Sequence, residues 1–218
     1  DYAPLTLLMG LAVIALLSPL PMTDEAQVYI MVRSGRRSWA QAQVAMVFVV
    51  CVCYMVLVAL TVLLWISPYV DWSGGWSDGI LAFVEGGVYE TYDSLLSYDP
   101  WVMRTYAPWV AALMEIALHA LAYGFVALLV YLGNVLFGRR GGVLLGVLPL
   151  AVDVLMADFY AGLPNYFSPV TLCRATMLDY GDGAGFPPVG YAFAILALLC
   201  ALFACLSVHL SMKKELRI

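Results

Sequence analysis

The stretch VAMVFVVCVCYMVLVALTVLLWI, residues 44–66, contains no charged side chain. A helix rises 1.5 Å per residue and the hydrocarbon core of a bilayer is about 30 Å thick, so about 20 apolar residues are enough to cross it. The stretch therefore predicts a membrane-spanning helix. The whole chain agrees, because 64% of its 218 residues are hydrophobic and 11% are charged, which leaves too little polar surface for a soluble domain.

Four further apolar stretches accompany the first, and together they predict an all-α, polytopic helical bundle that forms one domain, residues 1–218. The five predicted spans are residues 4–20, 44–66, 108–137, 141–160 and 190–210. An inner loop at 23–43 and outer loops at 67–107 and 161–189 connect them. We expect the first outer loop to form short interfacial helices and the second, rich in proline and glycine, to fold irregularly over the bundle mouth.

Basic residues predict the orientation of the bundle. Eight of the ten Lys and Arg residues fall on one side, and the positive-inside rule makes that side cytoplasmic. They are Arg33, Arg36, Arg37, Arg139, Arg140, Lys213, Lys214 and Arg217. The first outer loop carries six carboxylates against the single Arg104. We therefore predict a multi-pass plasma membrane protein with a cytoplasmic C terminus, an external Asp1 and a further helix preceding Asp1.

Charge and motifs argue against several function classes. A net charge of -5 without a basic face is not typical of a nucleic-acid-binding protein. The five cysteines have neither metal nor disulfide spacing. The only lysines, Lys213 and Lys214, follow no glycine-rich phosphate loop. We expect a chain that is not an enzyme and has no cofactor or metal of its own.

The inner loop TDEAQVYIMVRSGRRSWAQAQ, residues 23–43, has the pattern of a short helix that leads into a span. Asp24 and Glu25 would lie in the first turn, where the helix dipole favours negative charge. Gly35 is able to take the left-handed conformation that ends a helix. The following RRSW, residues 36–39, places cations and an indole where headgroups are expected.

Residues 24–39, DEAQVYIMVRSGRRSW, resemble the coupling-helix region of type II ABC exporter permeases, and FSPVTL, residues 167–172, is similar to the Ser-Pro element before the last span of such permeases. The resemblance implies a six-helix permease of which this chain supplies the last five helices. It also implies a separate ATP-binding-cassette ATPase subunit, which binds ATP and Mg, and a second permease subunit, identical or related. The residues expected to couple to the ATPase are Asp24, Glu25, Arg33, Arg36 and Arg37.

Glu115 and Asp153 are ionisable residues inside predicted spans, where charge costs free energy and function is the usual reason for it. Each lies about 10 Å below the outer end of its span at 1.5 Å per residue, which places both in one polar layer. That layer either lines a substrate path or is a hydrogen-bonded structural pair.

Two other functions remain as alternatives. The chain could be a non-catalytic membrane scaffold or an accessory subunit of another membrane complex. An intramembrane enzyme is the less favoured alternative, because the sequence lacks GxSxG, HExxH and paired-glutamate motifs. The permease and the scaffold differ in one observable, since only the permease is expected to co-purify with an ATPase through residues 23–43.

Overall fold

The computed structural model describes residues 3–22, 25–70, 74–85, 100–156, 163–181 and 185–213. These residues are predominantly helical, with one isolated bridge between Asp179 and Pro188. The helices are α1 (Ala3–Leu17), α2 (Glu25–Ser34), α3 (Arg36–Ile66), α4 (Asp78–Glu85), α5 (Pro100–Thr105), α6 (Pro108–Phe137), α7 (Arg139–Met156), α8 (Leu163–Phe167) and α9 (Val189–Lys213). Short 3-10 turns form at Ser67–Tyr69, Thr171–Cys173 and Ala175–Met177.

Three of these helices, α3, α6 and α9, are long and apolar enough to cross a membrane. They contain 31, 30 and 25 residues, more than the about 20 that hydrocarbon requires. The other two predicted spans are shorter or more polar, since α1 has 15 residues and α7, with 18, contains Arg139, Arg140 and Asp153. The structure therefore confirms that the described residues are mainly helical and include three apolar helices able to span a membrane. That α1 and α7 are spans stays a prediction.

The predicted start of the second span differs from the observed helix. α3 begins at Arg36, rather than residue 44, because good helix formers follow directly on Gly35, whose φ of 84° ends α2. Trp39 is 2% exposed and Ala40 is fully buried. The indole of Trp39 is therefore enclosed by protein, and its place at the headgroup level stays a prediction.

The centre of the bundle is α6, whose bounds match the predicted span. It packs against α1, α3, α7 and α9, and 72% of its most apolar stretch is buried, compared with 17% for α3 and 17% for α9. Small residues permit this approach: a Cβ added to Gly124 would lie 3.1 Å from the ring of Phe48. In a bilayer, α6 would be shielded by its neighbours, whereas α3 and α9 would turn apolar side chains to lipid.

The closest helix pair is the hairpin of α6 and α7, which a single residue, Gly138 with φ of 80°, connects. A Cβ on Gly142 would lie 2.5 Å from the carbonyl oxygen of Val130, and one on Gly133 would lie 2.6 Å from the Cα of Gly142. Backbone thus meets backbone at this crossing, which is how small residues let membrane helices associate.

The bundle has two ends with different contents. The hairpin end is defined by Gly138, and there Arg139 Nη2 donates to Ser18 Oγ at 3.5 Å. On the neighbouring helices α3 and α9, Arg36 Nη1 donates to the Met212 carbonyl at 3.4 Å. The loop end is defined by residues 163–181. The segments predicted to be cytoplasmic therefore meet at one end, the hairpin end.

Candidate functional site

At the loop end, a short stretch of chain enters the helix bundle. We call residues 168–174, sequence SPVTLCR, the inserted segment. All of its residues except Pro169 are buried, and Val170 and Cys173 have no exposed surface. The second outer loop was expected to cover the bundle mouth, and this part of it goes further, into the interior.

Local hydrogen bonds make this insertion possible. The backbone N–H groups of Leu172, Cys173 and Arg174 donate to the carbonyls of Ser168, Val170 and Thr171 at 3.1 to 3.2 Å. The Thr171 N–H donates to Ser168 Oγ at 3.3 Å. Because non-helical backbone is tolerated inside a membrane protein only when its polar groups are satisfied, these turns explain how the inserted segment is buried without a sheet or a long helix.

The inserted segment carries a charge to the interior. Arg174, 2% exposed, forms an ion pair with Asp153 of α7, which is 1% exposed, through its Nη2 and the carboxylate Oδ1. Thr171 Oγ1 donates to the same Oδ1 at 2.8 Å. A charge in a low-dielectric interior needs a partner, so Asp153 and Arg174 explain each other's burial.

The ion pair uses only part of its hydrogen-bonding capacity. A guanidinium and a carboxylate are able to pair through two parallel bonds, yet Asp153 Oδ2 and Arg174 Nε have no partner among the described residues. Both atoms are buried. One acceptor and one donor therefore remain available beside the pair.

His119 and Glu115 of α6 lie next to the pair. His119, 1% exposed, has its Nδ1 3.0 Å from the Glu115 carbonyl oxygen, and because a carbonyl only accepts, Nδ1 carries the proton. The Glu115 Oε1 lies 3.6 Å from the same nitrogen. Asp153 and Arg174 are within electrostatic reach of His119, and the backbone N–H of Ala175 faces the Glu115 carboxyl.

The inserted segment links the two predicted residues: Asp153 contacts Thr171 and Arg174, and the N–H of the next residue, Ala175, faces Glu115. We call Glu115, His119, Asp153, Thr171 and Arg174 the polar cluster. Its available atoms are the Asp153 Oδ2 and the His119 Nε2, which accept, and the Arg174 Nε, which donates. Among the described residues, no group of three or more His, Cys, Asp or Glu side chains is arranged to hold a metal. The cluster is suited to binding a small polar group.

The predicted coupling residues lie at the opposite end. Arg33 and Arg37 are exposed and Arg36 is half-buried through its bond to Met212. Asp24 lies outside the described residues, and Glu25 is placed only as the first residue of α2. On α2 itself, Tyr29 is 69% exposed and Val32 is 83% exposed. Residues of α2 and of the start of α3 thus form an open surface.

Sequence reasoning missed Arg174, Thr171 and His119 as members of the cluster. Arg174 lies in a loop and its partner is 21 residues earlier in the chain, so no local pattern links them. One signal was present: Arg174 is the single basic residue in the loop 161–189, on the side where the positive-inside rule disfavours cations.

Comparison of the chain with protein-family models, with curated proteins and with solved structures gave no match.

Proposed function

We propose that this chain is the membrane-spanning permease subunit of an ATP-binding-cassette exporter, with α1, α3, α6, α7 and α9 as five spans. In this proposal the hairpin end is cytoplasmic, α2 docks a separate ATPase subunit, and a second permease subunit completes the transporter. The polar cluster lies on the substrate path. ATP and Mg are bound by the partner.

The observation that carries the proposal is the surface of α2. This helix of 10 residues exposes Tyr29, Val32 and Arg33. Exposed aromatic and aliphatic side chains beside an arginine are typical of a protein interface. The helix joins α3 through Gly35 alone. A force on α2 is therefore transmitted directly to a helix of 31 residues, as rigid-body rocking of spans requires.

Charge at the hairpin end supports the proposed orientation. Arg33, Arg36, Arg37, Arg139, Arg140 and Lys213 all belong to elements that meet there. Cytoplasmic loops of membrane proteins carry such an excess of Lys and Arg. The polar cluster then faces the external half of the membrane, where a substrate moving outward would leave.

The test is co-purification from native membranes. The chain is isolated in detergent, and bound proteins are identified by peptide mass spectrometry for Walker-type sequences and by ATP hydrolysis. We expect an ATPase subunit in the complex. Charge reversal of Arg33 and Arg37 to Glu should reduce the recovered ATPase about tenfold or more, because like charges brought together across an interface repel.

The matched control is Arg140→Glu, which reverses an exposed charge at the same end but outside α2. It should leave the recovered ATPase unchanged, which separates docking from any general effect of charge on membrane insertion. Recovery of another membrane protein without an ATPase would overturn the permease proposal and favour the scaffold.

A further inference from the structure

The polar cluster contains an ion pair whose partners contact each other directly but do not use all of their hydrogen-bonding atoms. Arg174 and Asp153 are in direct contact, and each keeps a buried polar atom, Nε and Oδ2, without a partner in the described part of the chain. His119 Nε2, also buried and unpartnered there, adds a second acceptor. Buried polar atoms are almost always hydrogen-bonded in native proteins, so these three atoms are candidates to bind a ligand.

The charge of that ligand is constrained, because its binding must not leave Asp153 or Arg174 unpaired in the low-dielectric interior. An anion that displaced Asp153 from Arg174 would leave the Asp153 carboxylate uncompensated, and a cation that displaced Arg174 from Asp153 would leave the guanidinium uncompensated. Each such uncompensated charge is strongly unfavourable in a buried site. A molecule with both charges compensates both partners at once.

The spacing of those charges is also constrained. Asp153 and Arg174 touch, so the two charges of the ligand must be separated by only a few bonds. The donors and acceptors match an ammonium group on Asp153 Oδ2 and His119 Nε2, and a carboxylate or phosphate on Arg174 Nε.

We propose that the polar cluster binds a small zwitterion, an ammonium group close to a carboxylate or phosphate, between Asp153 and Arg174. Its role as a transport substrate rests on the proposed function, but its binding does not. Two sources share this chemistry: a free amino-acid-like solute and the headgroup of a phosphatidylethanolamine lipid, which the external half of the membrane would supply from the side.

The experiment measures binding to the full purified chain in detergent, without an ATPase. One arm measures saturable binding of labelled glycine by equilibrium dialysis, with ethylamine and acetate as singly charged competitors. The other arm measures lipid retained after purification from vesicles of equal phosphatidylethanolamine and phosphatidylglycerol, by native mass spectrometry. We expect one zwitterion to bind with at least tenfold preference over its singly charged relatives.

The variant Asp153→Asn with Arg174→Gln removes both charges; Asn has the size of Asp, and Gln is polar but shorter than Arg. It should lose at least tenfold in binding of the preferred zwitterion. The matched control, Asp78→Asn with Arg104→Gln, changes two exposed residues away from the cluster and should bind as the unaltered chain does.

Glycine binding identifies a free solute and phosphatidylethanolamine retention identifies a lipid; either supports the inference. It is overturned if neither binds, if ethylamine or acetate competes as well as the zwitterion, or if the folded double variant binds equally. Should the double variant fail to fold, the competition arm in the unaltered chain decides alone. An ATPase that co-purifies with a chain lacking zwitterion binding would refute this inference and leave the permease proposal intact.

Discussion

The two ends of the bundle solve the same problem, polar groups inside a membrane protein, in different ways. At the loop end the interior contains charges, Asp153 and Arg174, which contact each other directly. At the hairpin end the interior contacts are mostly neutral: Asn134 Nδ2 donates to the carbonyls of Ser18 and Leu20, and Tyr131 bonds Ser211 at 2.9 Å.

This difference has a mechanical consequence. The bonds of Asn134 satisfy carbonyls just beyond the C-terminal end of α1, where a helix leaves such groups without intrahelical partners, and glycine contacts fix α6 against α7. The hairpin end is therefore expected to stay rigid. The loop end is held by the pair between which we propose that a zwitterion binds, so motion is expected there.

The largest expected effect is on the loop end, from Arg174→Leu. The substitution leaves the Asp153 carboxylate buried without its cation, and breaking one side of a buried pair costs about 3–5 kcal/mol. Thermal unfolding in detergent should show this loss. The neutral double variant, Asp153→Asn with Arg174→Gln, should be clearly more stable than Arg174→Leu, because no charge is stranded; equal stability of the two would show that the pair is not what holds the segment.

The same variant should open the inserted segment to reagents. Burial raises the pKa of the Cys173 thiol well above its usual range, so in the unaltered chain it should resist alkylation at pH 7.5. Release of the segment in Arg174→Leu lowers that pKa toward about 8.5, which raises the thiolate fraction and its access to water. Peptide mass spectrometry should find Cys173 alkylated at least tenfold faster, and faster still as pH rises. An unchanged rate would contradict the expected mobility.

The next effect concerns the rigid end, from Gly142→Ala. Its added Cβ would meet the carbonyl oxygen of Val130 at 2.5 Å, and backbone is unable to yield as a side chain would. Overpacking of this kind costs about 1–3 kcal/mol, again measured by thermal unfolding. Gly75→Ala is the control, because nothing lies within 4 Å of its Cβ position. A stable Gly142→Ala variant would refute the close helix contact.

The smallest effect is expected for Tyr131→Phe, which removes one neutral hydrogen bond and leaves Ser211 Oγ without it. Such a bond contributes about 1 kcal/mol. Tyr29→Phe, on the exposed face of α2, should leave the unfolding temperature unchanged. A loss at Tyr131 as large as that of Arg174→Leu would remove the contrast between the two ends.

Much of the helical architecture was predictable from local sequence. The bounds of α6 agree with the predicted span because Pro108 suits a first helical turn and Gly138 ends the helix in a conformation that glycine favours. The four-residue spacing of Gly142 and Gly146 likewise favours a close helix contact on sequence grounds. The start of α3 was less predictable, because Trp39 lies within the protein interior, and an indole by itself does not distinguish that from a headgroup position.

The polar cluster was predictable only in part. Glu115 and Asp153 stand out in the sequence because ionisable residues in apolar stretches are rare, and their similar depth follows from helix rise alone. Thr171 does not stand out, and Arg174 does so only as the single basic residue of its loop; that both reach Asp153 depends on the path of the loop. A loop has no periodic sequence pattern from which its depth in the bundle could be predicted.

The order of the amino acids favours hydrocarbon as the solvent and predicts most of the long helices that the structure describes. Its long apolar runs cannot be hidden in water, and a backbone placed in hydrocarbon must bond to itself as a helix. Which helix lies at the centre and which loop enters it are set by folding, because both depend on contacts between residues far apart in the chain. The pairing of Asp153 with Arg174 is the clearest case: each residue type is visible in the sequence, but only folding removes both from solvent and forces them to meet.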